Sequence, residues 1–183
     1  MLIVHIISTD DTRQFSTIYR GIENDNTNRI LINPTSSQLR QSIIEEADRI
    51  VLIGHGTENG LLNQNLNGYI IDSGWVNLLR GRNVIGIWCN ASNFGDRYDL
   101  TGFFTSMFIS NRNELIECGF DTFDGCEDEI TRQNEMFSIR VNELLVNNIP
   151  TSEWSTRLNN MLTENEHRFV LYNYEAMYST EIN

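Results

Sequence analysis

The chain has 183 residues, 40% of them hydrophobic, and a formal net charge of -12. That length and composition fit one compact domain over residues 1–183, while the acidic balance opposes nonspecific binding to nucleic acid or to anionic lipid. No apolar run approaches the roughly 20 residues of a membrane helix, so the expectation is a soluble cytoplasmic protein with neither nucleic acid nor membrane as a partner.

In chain order, "LIVHII" (2–7) reads as a first strand, because it is short, lacks a basic lead-in and meets "STDD" without a cleavage-type segment. "DTRQFSTIYRGI" reads as a short helix and "RILIN" (29–33) as a second strand. Behind a Ser N-cap in "PTSS", the segment "QLRQSIIEEA" sets Leu39, Ile43, Ile44 and Ala47 at helical spacing. "RIVLIG" is the continuous apolar run of a parallel strand buried on both faces. "GLLNQNLNGYIIDS" (60–73) predicts a hairpin or ornate loop turning at "NG". "GWVNLLRGR" predicts a short helix and "NVIGIW" the next buried strand.

Farther on, "MFIS" is expected to be a strand, after a Phe-rich loop or helix and before the helix "NRNELIECG". "EDEITRQNEMFSIRVNELLVNN" is the strongest amphipathic helix, with acidic residues in its first turn. "SEWSTRLNNMLT" follows as a helix and "RFVLYNY" (168–174) as a final strand. Such alternation predicts an α/β fold, a mostly parallel sheet flanked by helices on both faces.

Two of the buried strands end on reactive side chains: "VLIGHG" (51–56) on His55 and "VIGIWCNAS" (84–92) on Cys89. In open parallel sheets ligands gather at the carboxyl ends of strands. Neighbouring strands would bring both side chains to one crevice, with ends about 5 Å apart. An imidazole there can take the thiol proton and later return one to a leaving amine. The backbone N–H groups of Gly56 and Cys89 could hold the oxyanion of an attacked carbonyl. Each feature alone also fits a structural role, since cysteine is often buried and His-Gly is an ordinary strand exit.

An apolar strand ending in His-Gly, followed after a few tens of residues by one ending in Cys, resembles the signature of the caspase-like cysteine peptidases. That grouping includes caspases, metacaspases, gingipains, clostripain, separase and the CHAT domains. The resemblance runs over the α/β core from about Leu2 to Cys118. It implies a caspase-hemoglobinase fold, with His55 and Cys89 as catalytic dyad, Gly56 as oxyanion donor and no metal or organic cofactor. It further implies an endopeptidase acting on a protein or peptide, switched on by a small-molecule or protein activator in antiviral defence or cell death. The alternative on the same fold is an inactive module that binds a peptide or small ligand. Trp88 departs from the pattern, standing where these families carry a small, acidic or Gln residue.

In several members of the grouping an acidic pocket receives a basic residue before the scissile bond. Asp10, Asp11, Asp96 and Asp99 are the carboxylates that follow the first strand and Cys89, and each could pair with a bound Lys or Arg. Asp after a strand equally often caps the next helix. All thirteen basic residues are arginine, and a peptidase cutting after lysine would escape self-cleavage by containing none. Escape from a lysine-directed modification and lineage bias explain the same fact.

Other chemistries fit less well. A receiver domain lacks its lysine here, and Gly95 stands where a tyrosine-phosphatase loop needs Arg. No G-x-S-x-G elbow or Walker loop exists. The three histidines and three cysteines lack metal-ligand spacing.

Overall fold

The computed structural model of the chain describes residues 1–45, 49–163, 166–175 and 177–180, without the side chain of Asp10. Its strands are β1 (Leu2–His5), β2 (Arg29–Ile32), β3 (Arg49–Ile53), β4 (Gly56–Thr57), β5 (Gly60–Leu62), β6 (Tyr69–Ile71), β7 (Asn83–Ile87), β8 (Thr101–Phe104) and β9 (Tyr178–Ser179). The helices are α1 (Asp10–Gln14), α2 (Ser36–Glu45), α3 (Val76–Leu79), α4 (Ala91–Arg97), α5 (Arg112–Glu117), α6 (Cys126–Val146), α7 (Trp154–Asn160) and α8 (Arg168–Glu175).

The main sheet runs β2-β1-β3-β7-β8-β9. Its neighbours are parallel except at the β8–β9 edge. This is the α/β architecture that the strand–helix alternation predicts. Strand periodicity divides the apolar side chains between two cores. Ile3, Val51, Ile53, Ile85, Ile87 and Phe103 face a cluster with Phe15, Phe137, Val141, Trp154 and Phe169. Leu2, Val4, Ile50, Leu52, Val84 and Phe104 face the other cluster, with Leu39, Ile43, Leu79 and Phe94. Both sides of the central strands are therefore apolar, which is why β3 and β7 read as continuous runs. Among the described residues no helix is long and apolar enough to cross a membrane.

The segment after His55 forms a second, small antiparallel sheet, β4-β5-β6, with Asn63 N–H donating to the Gly68 carbonyl across the turn. Trp88 joins it to the main sheet: its indole N–H donates to the Thr57 carbonyl at 3.1 Å.

Four local expectations are corrected. "RFVLYNY" is α8, not a strand, because Phe169 and Asn173, and Val170 and Tyr174, stand four apart on one buried face. "MFIS" is not a strand either. It lies in a loop over 105–111, where the Asn173 side chain accepts from Ile109 N–H (2.8 Å) and donates to Ile109 C=O (3.1 Å). That one amide satisfies the groups a ladder would have paired. The true strand is β8, immediately before it. "DTRQFSTIYRGI" breaks into α1 and two 3-10 turns, Phe15–Tyr19 and Ile22–Asn24. Thr35, not Ser, caps α2: its hydroxyl accepts from Gln38 N–H and its N–H donates to Gln38 Oε1. Ala47, read into that helix, lies outside the described residues.

Candidate active site

Three adjacent strands, β1, β3 and β7, converge at their carboxyl ends. Ile53 and Ile87, the last residues of β3 and β7, are register partners. His55 and Cys89 each stand two residues beyond that pair. With a side-chain period of two, both continue the face that carries Val51, Ile53, Ile85 and Ile87. They line one small space of about 20 Å³ with Thr12, Phe15, Phe108 and Ser110, room for about one water molecule.

The imidazole is held from the β1 side. His55 Nε2 is 2.9 Å from Thr9 Oγ1 and 3.5 Å from Asp11 Oδ2. Its Nδ1 has no hydrogen-bond partner among the described residues. The hydrogen bond and charge of Asp11 raise the His55 pKa above its ordinary value, against the opposing effect of burial. Asp11 in turn accepts from Asn111 Nδ2 (2.9 Å), Ser110 Oγ (3.3 Å) and the Thr9 hydroxyl. Burial acts to raise its pKa, but the hydrogen bonds from His55, Thr9 and Asn111 hold it well below the usual carboxylate range.

Cys89 faces a different environment. Its thiol donates to the Phe108 carbonyl at 3.5 Å. Burial, reinforced by the negative charge of Glu114, pushes the thiol pKa up to about 12. In this conformation the sulfur is a neutral thiol under the 105–111 loop. That loop is anchored on α8 through Asn173, on α6 through Asn134 Nδ2 to Ser110 C=O (2.8 Å), and on Asp11 through Ser110 and Asn111.

Glu114 is a member of the site that sequence reading missed. Its Oε2 accepts from Ser110 N–H and Ser110 Oγ at 2.7 and 2.9 Å, and burial raises its pKa. The only available signal was Asn111-x-x-Glu114, a helix-start pattern, and Asn111 does cap α5 by accepting from Glu114 N–H. One ligand atom each from Asp11, His55 and Glu114 lie within 4.8 Å of one another, a set that could hold a divalent cation. Spacing along the chain gave no hint of it, because the three come from separate elements.

The remaining candidates are spread out. Asp96 and Asp99 are exposed, in and just after α4, and neither lines the space between His55 and Cys89. Asp10 opens α1, with its side chain outside the described set. Gly56 is required sterically, since a Cβ there would lie 2.1 Å from Trp88 Cδ1 and 2.6 Å from the Gly60 carbonyl oxygen. Trp88 thus fills the flank of Gly56, which gives the unusual residue before Cys89 a structural role. His5 is buried between Tyr19 Oη and the Thr12 carbonyl, and burial lowers its pKa to about 4. Cys126 is buried in the core, and Cys118 is partly buried at the end of α5.

No protein-family model, curated protein or solved structure matches the chain.

Proposed function

We propose that the chain is a caspase-like cysteine endopeptidase held in a latent state. The observation that carries this reading is the delivery of His55 and Cys89, each two residues past the Ile53–Ile87 register pair, into one shared space. Asp11 supports it, because a carboxylate on Nε2 orients the ring and leaves Nδ1 as the nitrogen for the sulfur.

In the closed state the thiol is neutral and Asp11 shifts the imidazole toward its protonated form; a thiol with an imidazolium holds one proton more than a thiolate–imidazolium pair. Lifting residues 107–111 would hydrate the sulfur, lower its pKa and release that proton to solvent. Sγ then attacks the peptide carbonyl carbon, and the oxyanion is held by the N–H groups of Gly56 and Cys89. Collapse of the tetrahedral adduct breaks the C–N bond as His55 gives its proton to the departing amine. His55 next takes a proton from water, whose oxygen cleaves the thioester and frees Cys89. None of these steps calls for a metal or organic cofactor. The substrate is a protein or peptide, and an activator, protein or small molecule, would displace the loop. Cytoplasmic action in antiviral defence or cell death rests on analogy alone. A preference for basic residues would draw on Glu114, whose Oε1 has no partner among the described residues, whereas Asp11 is committed to His55.

The thiol pKa of about 12 favours a second reading, a module on the same scaffold that binds without cutting. Digestion of a peptide library holding paired Lys and Arg members, by wild type and Cys89→Ala, separates the two. Cleavage by wild type alone supports the peptidase. Identical, uncut libraries with wild type carrying Phe108→Ala to loosen the loop would favour the binding module.

A further inference from the structure

The other end of the same two strands carries a second site. Arg49 opens β3 and Asn83 opens β7, and the two are register partners. Register partners in a parallel pair project from the same face of the sheet. Both line a cavity of about 740 Å³ with Ile22, Asp25, Asn28 and Leu145, within the range of small-molecule sites.

The Arg49 guanidinium is partly buried, and burial alone lowers its pKa. Among the described residues it has no ion pair and no hydrogen bond. Its five donors are thus answered by water alone, at a half-buried position. Asp25, the carboxylate that also lines this cavity, is turned to its own loop: its Oδ1 accepts from Thr27 N–H and Thr27 Oγ1, both at 2.8 Å. Asn83 Oδ1 accepts from Thr151 Oγ1 at 3.0 Å, which turns its NH₂ group away as a second donor. Arg49 and Asn83, on strands whose backbones run about 5 Å apart, thus both line a cavity that the apolar Ile22 and Leu145 also line.

We infer that this cavity binds a small organic anion, its oxyanion on the Arg49 fork and the Asn83 amide and its body against Ile22 and Leu145. The guanidinium geometry suits either a phosphate monoester or a carboxylate. This inference is independent of the peptidase reading, because it concerns the opposite end of the strands and its test does not measure cleavage.

Calorimetry on the full chain with adenosine 5′-monophosphate, benzoate and neutral adenosine as separate probes tests it. One of the two anions is expected to bind with one-to-one stoichiometry and to raise Tm, and which one it is identifies the oxyanion. Adenosine is expected to do neither. Arg49→Gln should weaken that anion by roughly tenfold or more, the loss of a charge-assisted hydrogen bond. Arg49→Lys should lie between the two. The Tm of unliganded Arg49→Gln should stay close to that of wild type, since the half-buried guanidinium makes no ion pair or hydrogen bond among the described residues. Absence of binding by both anions at about 1 mM, the weak end of specific binding, would overturn the inference. So would binding unchanged in a folded Arg49→Gln variant.

Discussion

Asp11 Oδ2 lies 3.5 Å from His55 Nε2 and is itself held by Asn111 and Ser110 from the far side of the crevice. The carboxylate therefore links the ring, the loop over 105–111 and the start of α5. Replacing it with Asn keeps the shape and removes the charge. Asp11→Asn is expected to lower the His55 pKa, read by NMR titration of the ring carbons. An unchanged titration would mean that the pair is not coupled.

The same pair gives stability a pH dependence with a definite sign. His55 has a raised folded pKa, so its contribution is complete below the ordinary imidazole value and is lost as pH rises through the folded one. Asp11 has a depressed folded pKa, so its contribution is present above the ordinary carboxylate value and is lost as pH falls. Together they favour the weakly acidic range. Urea midpoints across pH should show both limbs in wild type and a flatter profile in Asp11→Asn, while equal profiles would remove the assignment.

Iodoacetamide should label Cys89 slowly at neutral pH. A thiol near pKa 12 holds roughly three orders of magnitude less thiolate than a free cysteine of pKa about 8.5. Peptide mapping after timed alkylation measures this directly. Fast labelling of native protein at Cys89 would show that the loop is open in solution.

Asn173→Ala should loosen that loop. It leaves the N–H and C=O of Ile109 unpaired, at a cost of about 1–3 kcal/mol for each buried group. The expected result is a lower urea midpoint together with faster alkylation of Cys89. A stability loss without faster alkylation would mean that Asn173 supports the core and not the cover over the thiol.

Gly56→Ala is expected to destabilise the protein by about 1–3 kcal/mol, typical of overpacking, because the new methyl would lie 2.1 Å from Trp88 Cδ1. Adding Trp88→Leu should recover part of the loss. No recovery would place the strain on the Gly60 carbonyl instead.

The sheet was legible where burial on both faces leaves an unbroken apolar run, as in "RIVLIG" and "NVIGIW". The positions of His55 and Cys89 followed from those strand ends. The chain after Phe104 was harder to read. "MFIS" and "RFVLYNY" are apolar and aromatic like strands, yet the first is satisfied by one Asn side chain and the second buries a four-residue period. Glu114 was invisible as a site residue because its local pattern speaks only of helix capping. That Arg49 and Asn83 line one cavity with Ile22 and Leu145 depends on segments far apart in sequence, a fact no local stretch contains.

Trp88 is tied on three sides. Its N–H donates to Thr105 Oγ1, its carbonyl accepts from the same hydroxyl, and its indole reaches Thr57. The peptide plane leading into Cys89 is thereby clamped between Thr105, just past the end of β8, and the small sheet, so the nucleophile's backbone has little freedom to swing toward an incoming chain. Adjustment at this crevice must come from its roof, and a binder that grips residues 107–111 could control the chemistry without touching sulfur or imidazole.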